Sequence, residues 1–137
     1  MSTDKNVMLA AATVEGGAAK YAQAIRVGKH TLQSDEPAAL GGGDAGPAPY
    51  QLLLASLGSC TSITLRMYAD RKGWELGGVT VRLKIFREEE QERIERTLAF
   101  GNAALTQEQK DKLLEISGKT PVTKTLLRGT KIETKLV

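Results

Sequence analysis

YQLLLASLGSCTSITLRMYADRK, residues 50 to 72, is the stretch on which the fold of this chain turns. No charge occurs from Tyr50 to Leu65, and the only cysteine of the sequence, Cys60, stands in the middle. Leu53, Leu54, Leu57, Cys60, Thr61, Thr64, Leu65 and Tyr68 recur at the i, i+3, i+4, i+7 spacing of one helix face. The opposite side, Ala55, Ser56, Ser59, Ser62 and Ile63, is small and mild rather than charged. A helix with no polar side until its last turn is expected to be buried nearly all round. It is too short to cross a bilayer, which takes roughly 18 or more apolar residues. Pro47 and Pro49 mark its start, and Arg66, Arg71 and Lys72 suit the negative pole at its end. Gly73 fits the left-handed residue that closes a helix.

Upstream, Val7 to Val14 reads as a first strand, Glu15 to Ala18 as a turn, and Lys20 to Arg26 as a second strand. Val27-Gly28-Lys29 turns the chain into a short third strand, His30 to Gln33. From Ser34 to Ala48 the glycines and prolines argue for a loop with little regular structure. Loops of this length inside a small domain are uncommon and often functional.

Downstream, Val79, Val81, Leu83 and Ile85 alternate with Thr80, Arg82 and Lys84, the pattern of a half-buried strand. Glu88 to Glu92 reads as a charged hairpin tip, and Ile94, Leu98 and Phe100 mark the returning strand, Arg93 to Phe100. Thr106 followed by Gln109 is a capping box for a second helix carrying Leu113, Leu114 and Ile116 and ended by Gly118. Thr120-Pro121 reads as N-cap and first residue of a short third helix. Ile132, Thr134 and Leu136 suggest a last strand. Strands, long helix, hairpin, helices and strand add up to an α+β fold with mainly antiparallel sheets.

A length of 137 residues is expected to form a single domain, residues 1 to 137. At 41% hydrophobic and 4% aromatic its core must be mostly aliphatic. The net charge of +3 is spread among interleaved acids, so there is no basic stripe for nucleic acid, and aromatics for stacking bases are scarce. MSTDKNVMLAAATVEGG lacks the basic start and apolar core of a signal peptide, which makes a cytoplasmic protein off the membrane the expectation. One cysteine excludes an internal disulfide, and Cys60 with His30 cannot furnish a structural zinc site, so no metal is expected.

On its own, a cysteine in an apolar helix is ordinary core packing. It lies too far from its own helix N-terminus to be helped by the dipole, so a thiolate needs a cation or another helix end brought in by the fold. His30 could serve as a base, but it reads more readily as a strand-end residue facing solvent or a backbone partner. Gly41-Gly42-Gly43 lacks the Lys and Ser/Thr of a phosphate loop and reads as flexible punctuation.

HTLQSDEP (His30 to Pro37), GDAGPAPYQLLLASLGSCTSITLRMYADRKGW (Gly43 to Trp74) and KTPVTKTL (Lys119 to Leu126) together resemble the OsmC/Ohr family of thiol-dependent hydroperoxide reductases. The resemblance implies an OsmC-like fold with sheets around a long central helix. It also implies an intertwined homodimer with two active sites at its interface. Cys60 would be the nucleophile, attacking a small organic hydroperoxide and becoming a sulfenic acid. This chain departs from the family at named positions. Thr120 stands where the second, resolving cysteine belongs, and Thr123 where a histidine does. Gln51 occupies the position of a glutamate, and Ala18 that of an arginine, for which Lys20 or Arg26 are the candidate substitutes. The resemblance also places the helix that begins after Thr120 beside Cys60. The expected function is therefore one-cysteine peroxide chemistry or peroxide response, with no cofactor and an external thiol as reductant. The alternatives are a catalytically degenerate dimer that binds a small apolar or acyl ligand, or an interaction dimer without pocket chemistry.

Overall fold

The structure, a computed structural model, describes residues 6–137. Met1–Lys5, which open the segment read above as lacking a signal peptide, lie outside it. The chain divides into two units, Met1–Leu52 and Leu53–Val137.

In the N-terminal unit, strands β1 (Thr13–Gly16), β2 (Gln23–Val27) and β3 (His30–Ser34) form an antiparallel sheet in that order. Val14 pairs with Ile25, and Ile25 with Leu32. Gly28, at φ +61°, supplies the left-handed residue of the tight β2–β3 turn. β1 is shorter and later than the apolar run from Val7 suggests. Its ladder ends at Thr13 opposite Arg26, near the end of β2, so residues 7 to 12 have no partner strand and Val7, Met8 and Leu9 are exposed.

The Ser34–Ala48 loop is organised by one buried carboxylate. Asp35, 3% exposed, accepts hydrogen bonds from the backbone N–H groups of Glu36 (2.7 Å), Gly43 (3.2 Å) and Ala45 (3.1 Å). A 3-10 turn, Ala38–Leu40, lies inside it. Gly42 is required sterically, since a Cβ there would sit 2.1 Å from the Glu36 carbonyl oxygen. Ser34 Oγ (2.9 Å) and Asp35 N–H (3.3 Å) both donate to the Pro47 carbonyl, which ties the loop's two ends together.

Helix α1 runs Pro49–Lys72, between the signals that predict it. Gly73 ends it at φ +73°, with its N–H on the Asp70 carbonyl and that of Trp74 on the Ala69 carbonyl, the paired bonds of a Schellman end. The buried residues of α1 are Leu57, Gly58, Thr61, Leu65 and Ala69, one narrow stripe. Within this chain α1 is therefore not buried all round: Ile63 and Met67 are more than half exposed.

In the C-terminal unit, β4 (Val79–Glu88) and β5 (Gln91–Phe100) form an antiparallel hairpin. Its tip is tighter than the acidic run implies. Both strands extend to the end, and only Glu89 and Glu90 turn, at φ +53° and +70°. Gly58 sets the approach of the hairpin to α1, because a Cβ there would meet Leu83 Cδ1 at 2.9 Å. Helix α2 (Gln107–Ser117) begins with the expected reciprocal capping box between Thr106 and Gln109. Helix α3 (Pro121–Arg128) has Thr120 at its N-cap position, but the hydroxyl makes no capping bond. The core is Leu65, Ala69, Leu76, Leu105 and Leu113, with Tyr68, Trp74, Val79, Leu98, Phe100 and Ile116 packed against it. The strand expected at Ile132 to Leu136 is absent. No strand of the described chain pairs with that segment, and Ile132 and Leu136 are exposed.

Candidate functional site

Cys60 is half-buried on α1, and its Sγ lies 4.0 Å from Thr64 Oγ1, one turn on. The next residue, Thr61, is fully buried and donates its hydroxyl to the Leu57 carbonyl at 2.7 Å. That leaves the lone pairs of Thr61 Oγ1 free to accept, and Arg96 uses one of them.

Arg96 comes from β5, opposite Leu83, on the face that also carries Ile94, Leu98 and Phe100. An arginine in the apolar phase of an alternating strand must find polar partners inside. Arg96 Nη1 donates to Thr61 Oγ1 (2.9 Å) and to Thr123 Oγ1 (2.8 Å), and Nη2 donates to the Ser117 carbonyl (3.0 Å). The last is a carbonyl at the C-terminal end of α2, where a cation is favoured. One guanidinium thus ties α1, the end of α2 and α3 together. Burial pushes the Arg96 guanidinium below its ordinary value, while the negative charge of an ionised Cys60 acts in the opposite direction. Arginine remains protonated under ordinary conditions, so a permanent positive charge is bonded to the residue next to Cys60.

Thr120 and Thr123, where the resemblance expects cysteine and histidine, are both buried and share a hydrogen bond of 2.6 Å. Thr123 also reaches the Ser117 carbonyl at 3.3 Å. The expected role of Thr120 as a side-chain N-cap is thereby corrected: the buried hydroxyl bonds Thr123 instead, which satisfies it inside the protein. The position of the family's second cysteine is linked to the neighbour of Cys60 through Thr123, Arg96 and Thr61.

The other anticipated residues lie in the N-terminal unit. Gln51 Oε1 accepts the Ala48 N–H at 2.8 Å, so the position of the family's glutamate here seals the first turn of α1. Arg26 is ion-paired with Glu15 across β1 and β2, and it lines a cleft of about 720 Å³ together with Ile25, Leu32, Pro47 and Leu52. Lys20 stands 5.2 Å from the centre of the Tyr21 ring. Arg96 is the residue that sequence reasoning passed over. Its signal is the place it occupies between Ile94 and Leu98 in the strand alternation.

Among the described residues no cluster of His, Cys, Asp and Glu could hold a metal ion, and no helix is long and apolar enough to cross a membrane.

The chain is α+β, with one cysteine on its long helix and a half-buried arginine bonded to the next residue, and comparison assigns the family. Residues 41–135 match the family model described as OsmC-like protein, and the chain belongs to that family. Its fold is similar to that of several solved structures. One is a protein from Psychrobacter arcticus described as an osmotic stress induced and detoxification response protein (17% identity, TM-score 0.74, covering 88% of this chain and 90% of that one). A second is the organic hydroperoxide resistance protein OsmC from Legionella pneumophila (20%, 0.65, 89% and 91%). A third is the organic hydroperoxide resistance protein of Bacillus subtilis (22%, 0.61, 86% and 90%). A search of curated proteins gives no match.

Proposed function

We propose that the chain reduces small organic hydroperoxides, or responds to them, through Cys60 alone. The carrying observation is Arg96: a half-buried cation held by Thr123 and by Thr61, the residue that follows Cys60 on α1. Such surroundings separate reactive cysteines from inert core ones. Hydroperoxide resistance in the names of structural neighbours supports the same chemistry.

In the first step the Cys60 thiolate attacks the terminal peroxide oxygen. The S–O bond forms, the O–O bond breaks, and the alkoxide leaves and takes a proton to become the alcohol. Sulfur is oxidised to the sulfenic acid and the peroxide is reduced. Thr120 offers no thiol, so an external thiol attacks the sulfenic sulfur, expelling water and forming a mixed disulfide. A second external thiol then releases Cys60 and carries away the disulfide. No cofactor enters this cycle, and the abundant thiols of a cytoplasmic setting would sustain it. Without thiol, the sulfenic acid persists or is oxidised further to the sulfinic acid. Protein treated with one equivalent of hydroperoxide should therefore trap dimedone at Cys60, as intact-mass and peptide analysis will read. An unreacted thiol with no adduct would remove this reading and leave the binding of a small apolar or acyl ligand in its place.

The working unit is a homodimer. Ile63 and Met67 leave an apolar strip along α1, which a second copy would cover. Light scattering at micromolar concentration should give twice the chain mass of 14.7 kDa. A stable monomer would refute the dimer.

A further inference from the structure

We propose that Thr123 is a positioning residue for the chemistry of Cys60, acting through Arg96. In this chain the C-terminal block would thus have exchanged a redox role for an electrostatic one. The inference rests on the reading of Cys60 as the reactive group. Its basis is geometric. Arg96 hydrogen-bonds both Thr123, the partner of Thr120, and Thr61, so it joins that pair to α1 at the residue after Cys60. Arginine side chains are long, and a guanidinium is aimed only when its donors are bound. Three of the donors of Arg96 are bound, two of them by threonine hydroxyls and one by the Ser117 carbonyl. Thr61 must itself donate to Leu57, so its acceptance of Arg96 completes a hydroxyl with both functions in use. Thr123 is placed alike, accepting from Arg96 while joined to Thr120 and Ser117. Remove the Thr123 hydroxyl, and Nη1 loses the acceptor that holds it on the α3 side. The guanidinium is then free to swing away from the Cys60 side of α1.

The test compares Cys60 alkylation by iodoacetate, an anion, with alkylation by neutral iodoacetamide at one pH and ionic strength. A cation fixed near the sulfur favours the anionic reagent, and the ratio of the two rates cancels changes in general accessibility. Thr123→Val, which keeps shape but has no hydroxyl, should lower the iodoacetate-to-iodoacetamide ratio by about threefold or more, the size of effect a single nearby charge has on a partly buried site. Arg96→Gln, which keeps donors but has no charge, should lower it at least as far. Thr123→Ser should restore the parent ratio, a rescue that a purely structural role would not produce. Folding of each variant is checked by the fluorescence of Trp74, which packs on the core. Should Thr123→Val fail to fold, the Arg96→Gln and Thr123→Ser ratios decide: a parent-like ratio in Arg96→Gln overturns the inference. A folded Thr123→Val with the parent ratio overturns it as well. Neither result touches dimedone trapping in the parent, so failure of the positioning role and failure of the peroxide reading are separable.

Discussion

Thr120→Cys, treated with one equivalent of an organic hydroperoxide, should close a disulfide within each chain between Cys60 and the introduced cysteine, where the parent forms none. The resemblance to the family implies a resolving cysteine at this position, and hydrogen bonds link it to the residue beside Cys60. Thr120 contacts Thr123, Thr123 accepts from Arg96, and the same Arg96 nitrogen donates to Thr61 beside Cys60. A disulfide requires Cα atoms within about 7 Å and converging Cβ atoms. Threonine and cysteine are close in size, and Thr120 makes no side-chain cap. The substitution therefore costs only the hydroxyl bond to Thr123, about 1 kcal/mol. Peptide mapping without reductant reads the outcome. A folded variant with two free thiols after oxidation, or with bridges only between chains, would show that α3 does not present this position to Cys60.

Leu65→Ala should be the most damaging single truncation in the C-terminal unit. Leu65 is fully buried in the cluster that also holds Ala69, Leu76, Leu105 and Leu113. Its neighbours are anchored on α1, the segment after it and α2, so they are poorly placed to collapse into the space left behind. Loss of a buried leucine side chain costs about 3 kcal/mol through lost transfer energy and the cavity. Urea unfolding followed through Trp74, at matched protein concentration because association adds to stability, should show a clearly lowered midpoint. A change under about 1 kcal/mol would mean that this cluster is not the core.

The long helix was legible because several local signals agree: an uncharged periodic run, prolines before it, and Gly73 after it. The capping box and the β4–β5 hairpin were legible for the same reason. Where the reading missed, a partner was lacking that no local signal encodes. Val7 to Ala12 are apolar, yet the β2 ladder has run out before reaching them. Ile132 and Leu136 alternate as a strand should, but no described strand pairs with them. At the candidate site, the resemblance is what singles out Cys60. Arg96 was not legible, because a single arginine in a strand acquires meaning only when α1, α2 and α3 arrive around it. Thr120 shows the opposite error. Its place before Pro121 fits an N-cap, and the local pattern is obeyed by the backbone while the hydroxyl answers to Thr123.

The Asp35 clasp gives the Ser34–Ala48 segment a different physical character from the one its composition suggests. A run of three glycines ordinarily means a chain with many accessible conformations. Here the carboxylate collects N–H groups from both sides of the run, and Gly42 is small because a carbonyl oxygen occupies the space of a side chain. Most of the conformational entropy of the segment is therefore given up when the unit folds, not when something arrives at it. A molecule that docks against this loop meets a shape already set, and its affinity is not diminished by the cost of ordering the backbone. The amides of Glu36, Gly43 and Ala45 should accordingly exchange with solvent at the pace of a folded element, although the segment contains almost no helix and no strand.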